Sequence, residues 1–218
     1  MRVVMIGATG LVGSLAASKM LDLGWSVDVL ARRPGGRAHA ALREHVAPPA
    51  EWPAIVGSLV PEVAFSALGT TMRQAGSQAA FRAVDLDMVA AFAGAAAAAG
   101  ARRMVTVSSV GADPGSANFY LRIKGEMESA LEGLGFERLD ILRPGLLRGP
   151  RGGDRRVGER IGIALSPVVN LALRGRLERF AAIDADVVAA AAARALRQGA
   201  AGVFRHENRS LHALAAPL

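Results

Sequence analysis

The stretch Met1–Gly13, MRVVMIGATGLVG, decides how the rest of the chain is read. Arg2–Ile6 is an apolar, β-branched run of the kind that forms a buried strand, and Leu11–Leu23 carries the spacing of an amphipathic helix. Between them lie Gly7, Gly10 and Gly13. Gly7 permits a tight turn, Gly10 lets the backbone approach a pyrophosphate, and Gly13 lets the helix pack closely on the strand. The helix N-terminus then presents free N–H groups and the positive end of its dipole to the negative charge. The spacing is G-x-x-G-x-x-G, one residue longer in its first gap than the usual dinucleotide fingerprint. Gly7, Thr9, Gly10, Leu11, Val12 and Gly13 are therefore the candidate phosphate-binding residues.

Beyond the turn, apolar runs alternate with helical patterns, which predicts a parallel sheet covered on both faces. Candidate strands are Arg2–Ile6, Ser26–Ala31, Ala54–Val56, Val63–Ala67, Met104–Val107, Arg138–Leu142, Arg179–Ile183 and Gly202–Arg205. Candidate helices are Leu11–Leu23, Gln78–Ala99, Tyr120–Leu134, Gly158–Leu173 and Ala185–Arg197. Pro34–Pro53 reads as a long connection. The expected class is α/β, a Rossmann-type doubly wound parallel sheet in one domain over residues 1–218. A small C-terminal lobe, roughly 145–180, would cover the substrate, and the Gly- and Arg-rich segment Arg148–Arg160 would act as its lid.

The second strand bears on the choice between the two nicotinamide dinucleotides. An Asp or Glu near its end holds the ribose 2′-hydroxyl of NAD. Here VDVLARRP offers Ala31, Arg32 and Arg33, and the nearest acid, Asp28, lies earlier within the strand. A guanidinium pairs with a 2′-phosphate through two hydrogen bonds, whereas a carboxylate repels it. Arg32 and Arg33 thus point to NADP(H).

The strand RRMVTVSS ends in Ser108 and Ser109, at the edge where parallel sheets build their ligand crevice. Beyond it, Tyr120 and Lys124 stand at i and i+4, on one face of a helix. A phenol near pKa 10 is a poor proton donor or acceptor at neutral pH, and a neighbouring ammonium favours its ionised form. A serine hydroxyl opposite could orient a substrate carbonyl. Tyr120 is the only tyrosine in the chain.

Composition excludes several other classes. The formal charge is +7, yet all but two of the 26 basic residues, Lys19 and Lys124, are arginine and they are scattered. With one Tyr and two Trp there is little to stack on bases, so no nucleic-acid partner is expected. The absence of cysteine excludes disulfides and thiolate chemistry. No apolar stretch reaches membrane-spanning length. His39, His45, His206 and His212 show no metal-ligand spacing, and no G-x-S-x-G elbow is present. A strand directly after Met1 and the lack of cysteine lead to the expectation of a cytoplasmic protein.

These segments together resemble the short-chain dehydrogenase/reductase superfamily. The closer resemblance is to its atypical branch, which includes the NADPH-binding, Tat-interacting tumour-suppressor proteins and their bacterial relatives. The matching stretches are GATGLVG, ARR, SALGTT, VDLDMV, SSVGADPGSANFYLRIKGEMES, LDILRPGLL and HENRSLHAL. The resemblance implies that Tyr120 is the catalytic acid/base, that Lys124 holds the nicotinamide ribose, and that Ser109, with Ser108 second, binds the substrate carbonyl. It further implies that Leu68 and Gly69 pass beneath the adenine side of the cofactor and that Pro144 lines the nicotinamide. Many relatives place Asp against the adenine after the third strand, where this chain has Gly57 and Ser58. The expected function is an NADP(H)-dependent oxidoreductase acting on a small carbonyl or alcohol. The main alternative is an NADPH-binding regulator with little turnover; a sugar-nucleotide epimerase or dehydratase ranks lower, because such enzymes carry a larger C-terminal lobe than the stretch after Pro144 supplies.

Overall fold

The computed structural model of the chain describes residues 1–149 and 175–216. Its centre is a seven-stranded parallel sheet built from β1 (Arg2–Ile6), β2 (Ser26–Ala31), β3 (Leu42–Val46), β4 (Val63–Ser66), β5 (Arg103–Val107), β6 (Arg138–Leu142) and β9 (Gly202–His206). The spatial order is β3-β2-β1-β4-β5-β6-β9. Building outward from β1, the chain runs first to β2 and β3, then returns to the other side of β1 for β4. That reversal opens a crevice at the carboxyl ends of β1 and β4, the place where such sheets bind ligands.

The strands alternate strictly between two cores. Val3, Met5, Val27, Val29, Val63 and Phe65 face α1 (Leu11–Asp22) and α7 (Ala185–Ala195). Val4, Ile6, Leu30, Ala64, Met104 and Leu139 face the opposite layer of α2 (Trp52–Leu59), α5 (Met88–Ala98) and α6 (Phe119–Glu132). A parallel sheet covered on both faces needs apolar side chains at both parities, which is why β1 reads as a continuous hydrophobic run from Val3 to Ile6. On the first layer, Lys19 of α1 pairs with Asp186 of α7 at 2.8 Å.

Several elements depart from the sequence expectation. Ala54–Val56 is not a strand but the middle of α2, which starts with Pro53 in its first turn and buries Trp52 and Val56 one turn apart. Gly57 and Ser58 therefore lie on a helix, and the third strand is Leu42–Val46, inside the expected connection. As an edge strand it is only half-buried, so Arg43 and His45 break its apolar pattern. Gln78–Ala99 divides into α3's neighbour α4 (Gln78–Arg82), a π-helical turn (Ala83–Asp87) and α5, with the short α3 (Met72–Ala75) before them. Arg179–Ile183 is not a continuous strand: Arg179 and Phe180 end a 3-10 turn, Gly175–Phe180, and Ile183 opens β8 (Ile183–Asp184), which among the described residues pairs only with β7 (Leu147–Arg148). The tail Asn208–Ala215 forms α8. The expected helix Gly158–Leu173 and most of the lid segment Arg148–Arg160 lie outside the described residues. No helix among the described residues is long and apolar enough to cross a membrane.

Candidate active site

The glycine turn is fixed by contacts that leave no room for side chains at two of its three glycines. Gly7 has φ +81°, and a Cβ there would stand 2.4 Å from the Ala67 carbonyl carbon at the end of β4. A Cβ on Gly13 would stand 2.0 Å from the Gly7 carbonyl oxygen. Gly10 differs: its added Cβ would meet only the Gly7 oxygen, at 3.3 Å, and the residue is exposed. It is also the N-cap of α1, with no side-chain cap and no acidic residue in the following turn. The turn closes through the Gly10 N–H to the Gly7 carbonyl at 3.0 Å and the Ser14 N–H to the Gly10 carbonyl at 2.9 Å. An uncapped helix start over bare backbone at the sheet switch point fits a pyrophosphate.

At the end of β2, Arg32 and Arg33 are exposed. Asp28 is buried behind them and accepts from His45 Nε2 at 2.8 Å, so this acid is engaged with β3. A cavity of about 170 Å³ lies beside the glycine turn, lined by Thr9, Ser14, Gly35, Arg37, Leu42 and Glu44 among others. The Gly35 N–H donates to both Glu44 carboxylate oxygens, at 3.0 and 3.2 Å, and Arg37 donates to the Ser14 carbonyl at 3.0 Å. These bonds fold the Arg32–Arg37 loop back onto β3 and α1. Glu44 and Arg37 were hidden in the stretch read as a connection.

Ser108 and Ser109 follow β5 but have different surroundings. Ser108 is buried, and its Oγ donates to Glu128 Oε1 of α6 at 2.5 Å. Glu128 also takes the Arg143 guanidinium, from Nη2 at 2.5 Å and from Nε at 3.0 Å. That hydrogen bond holds Arg143 above the ordinary arginine range, against the opposing effect of burial. Ser109 is half-buried, and among the described residues the one hydrogen bond its hydroxyl makes is a long one, 3.4 Å, to the Val110 carbonyl. The loop after it is tied to Pro144, whose carbonyl accepts the Val110 N–H at 3.0 Å.

Asn118 caps α6 by accepting the Leu121 N–H at 3.2 Å, which sets Tyr120 in the first turn. The Tyr120 ring packs edge-on against Phe81 of α4, with centroids 5.7 Å apart. One turn on, Lys124 is buried, and its Nζ lies 2.8 Å from Asp85 Oδ1, with side-chain exposures of 5% and 1%. Asp85 sits on the π-helical turn, a local widening frequent at functional sites. Its Oδ2 accepts the Thr70 N–H at 2.8 Å. Gly69 lies against the same pair, with its added Cβ 3.3 Å from Asp85 Oδ1 and 3.7 Å from Lys124 Nζ. Sequence reasoning missed Asp85, Glu128 and Arg143. The signal for Asp85 was an acid interrupting the apolar helical pattern of VDLDMV.

The residues expected at the site thus come to the carboxyl edge of the sheet on two sides of the switch point. The glycine turn, Arg32 and Arg33 follow β1 and β2, while Leu68, Gly69, Ser108, Ser109 and Pro144 follow β4, β5 and β6. Tyr120 and Lys124 reach it from α6. Among the described residues, no group of His, Asp and Glu could hold a metal ion.

No family model matches the chain. It is similar to the mitochondrial protein FMP52 of Coccidioides immitis, 38% identical over 173 residues, covering 72% of this chain and 70% of that protein. The mitochondrial fmp52 of Aspergillus fumigatus is 36% identical over 204 residues, covering 88% and 86%. Among solved structures, Bordetella bronchiseptica WbmH in complex with NAD+ superposes with a TM-score of 0.71 at 18% identity, covering 94% of this chain and 75% of that one. UDP-glucose 4-epimerase of Thermotoga maritima gives 0.71 at 17%, covering 95% and 77%. A short-chain dehydrogenase/reductase superfamily protein of Agrobacterium tumefaciens with bound NAD gives 0.69 at 18%, covering 95% and 77%. The chain thus shares the Rossmann-type parallel α/β fold of these proteins. The relatives overturn one expectation: proteins 34–38% identical are named as mitochondrial, against the expected cytoplasmic location. A strand after Met1 and a lack of cysteine concern cleavable leaders and redox chemistry, and neither names a compartment.

Proposed function

The chain belongs to the FMP52 family, and from the geometry of its site we propose that it is an NADP(H)-dependent oxidoreductase of the short-chain dehydrogenase/reductase type acting on a small carbonyl or alcohol. One observation carries the reading. A buried ammonium, Lys124, stands one helical turn from the chain's only tyrosine and against the Gly69 loop.

The N–H groups of Leu11, Val12 and Gly13, with the bare backbone of Gly10 and Thr9 beside them, would hold the pyrophosphate. Arg32 and Arg33 would pair with the 2′-phosphate as planar two-point donors. Leu68 and Gly69 would floor the adenine side, and Pro144 would bound the nicotinamide. When bound, the nicotinamide supplies or accepts the hydride. The protein's own part is orientation and proton handling. Lys124 would donate to the ribose hydroxyls, its charge one helical turn from Tyr120. Tyr120 passes the proton to or from the substrate oxygen, and the Ser109 hydroxyl donates to that same oxygen. Ser108 is the weaker candidate for that role because its proton is already given to Glu128.

Titration calorimetry with NADPH and NADH tests the cofactor, and a panel of carbonyl compounds followed by NADPH absorbance tests the reaction. Tight NADPH binding with turnover of a carbonyl supports the proposal. Tight binding with no turnover across the panel replaces it with a regulator that senses NADPH, and absence of binding removes both.

A further inference from the structure

The sequence places no acid at the end of β2, but the fold brings one there from β3. We propose that Glu44 is a specificity-determining residue for the dinucleotide. Its carboxylate opposes Arg32 and Arg33 at the adenosine ribose, so that the preference for NADPH over NADH is narrower than the two arginines alone would give. The inference rests on the dinucleotide site proposed above and needs no assumption about the substrate or the reaction.

The placement follows from strand register. β3 pairs with β2 in parallel, with Val29 opposite Glu44 and Ala31 opposite Val46. Leu42, Glu44 and Val46 share one face of the strand, and Leu42 packs against the core on the α1 side. Glu44 therefore stands on the α1 side of the sheet. Two contacts bring the Arg32–Arg37 loop down beside it. The Gly35 N–H donates to both of its carboxylate oxygens, at 3.0 and 3.2 Å, and the Arg37 guanidinium donates to the Ser14 carbonyl of α1 at 3.0 Å. Glycine is needed for this approach, since a Cβ on Gly35 would stand 2.6 Å from Glu44 Oε1. The same Cβ would stand 3.6 Å from Thr9 Cγ2, so the carboxylate, the arginine loop and the glycine turn meet at one point. The cavity of about 170 Å³ opens there, with Thr9, Gly35, Arg37 and Glu44 on its wall.

Charge at this point decides which dinucleotide is favoured. In this fold the ribose 2′ position lies by the end of the second strand. A carboxylate there accepts the 2′-hydroxyl of NAD and repels the 2′-phosphate of NADP, which carries nearly two negative charges. Glu44 has acceptor capacity to spare, because its two oxygens share a single N–H donor. That donor is a neutral amide, and Arg37, on the same cavity wall, is given to the Ser14 carbonyl. The bonds that hold Glu44 thus leave its negative charge in place, and Gly35 is only two residues beyond Arg33. One loop carries both influences: the arginines favour NADP(H), and the acid docked against the loop favours NAD(H).

Calorimetric titration of NADPH and NADH into wild type and Glu44→Gln tests the proposal. The fragments 2′,5′-ADP and 5′-AMP repeat the comparison without a nicotinamide. Glutamine keeps an oxygen for the Gly35 N–H and removes only the charge. Glu44→Gln is expected to raise the NADPH-to-NADH affinity ratio about five- to tenfold, and the fragment ratio likewise. In 1 M salt that gain should shrink to under about twofold, because exposed charges are then screened beyond about 3 Å. A residue that merely supports the loop would change both affinities by one factor, whatever the salt. An unchanged ratio, a fall in it, or a gain that persists in 1 M salt overturns the proposal. If neither dinucleotide binds wild type, the reading above fails and takes this one with it. If both bind and the ratio stays fixed in the variant, only this one fails. Should Glu44→Gln not fold, Glu44→Thr, whose β-branched side chain suits a strand, carries the same comparison. Failure of both to fold assigns Glu44 to the fold itself and also overturns the proposal.

Discussion

Gly13 lies so close to Gly7 that a Cβ on Gly13 would stand 2.0 Å from the Gly7 carbonyl oxygen, whereas a Cβ on Gly10, between them, would meet that same oxygen at 3.3 Å. The two glycines therefore answer different demands. Gly13 is required by the packing of α1 on β1, and Gly10 stands open toward the crevice.

This contrast gives the first prediction. Gly13→Ala forces backbone to move and is expected to cost about 2–3 kcal/mol of stability. Gly10→Ala should cost under about 1 kcal/mol, since the change is exposed and at a helix cap. It should nevertheless weaken NADPH binding by about tenfold or more, equivalent to about 1.4 kcal/mol. Chemical denaturation and calorimetry on both variants check it. Equal stability losses would remove the distinction.

The second prediction concerns cofactor choice. Wild-type protein should bind NADPH more tightly than NADH, and the Arg32→Ala/Arg33→Ala variant should lose that preference. Its NADH affinity should stay nearly unchanged, because on the proposed reading the arginines would meet only the 2′-phosphate. Calorimetric titration of both cofactors against both proteins gives the four constants needed. Persistence of the preference in the double variant would assign it elsewhere, with Arg37 the next residue to replace.

A third prediction separates the two serines. Ser108→Ala removes a buried hydrogen bond to a charged partner and is expected to cost about 1.5–3 kcal/mol of stability. Ser109→Ala breaks only a long bond to the Val110 carbonyl, so stability should barely change. Turnover should show the reverse order, with kcat falling in Ser109→Ala. A Ser109→Ala enzyme of full activity on a true substrate would exclude that residue from the site.

Tyr120→Phe provides the fourth. The ring contact with Phe81 survives the loss of one hydroxyl, so the fold and NADPH affinity should stay within a few-fold. Turnover of any accepted carbonyl should drop roughly 10²–10⁴-fold, the contribution of a positioned acid. Lys124→Ala should impair binding and turnover together, because on the proposed reading it would remove both a ribose contact and the charge one helical turn from the phenol. Full activity in Tyr120→Phe would reject the proton-transfer scheme.

The strand–glycine–helix order of Met1–Asp22, the alternation of later strands and helices, and the spacing of Tyr120 and Lys124 were legible in the sequence. Each rests on short-range rules. A glycine turn, a helical period and a buried-strand run are written in consecutive residues, and the resulting order leaves few ways to wind a parallel sheet. The edge strand Leu42–Val46 and helix Trp52–Leu59 were not legible. An edge strand pairs on one side only and keeps polar residues, while the short apolar run of α2 fits a strand or a helix equally well. The tertiary structure alone decided the chemistry around the two key side chains. The partner of Lys124 is Asp85 on the π-helical turn, and the partner of Ser108 is Glu128 on α6. No local pattern marks such pairs, because what joins them is the shared cost of burying charge where the sheet brings distant segments together.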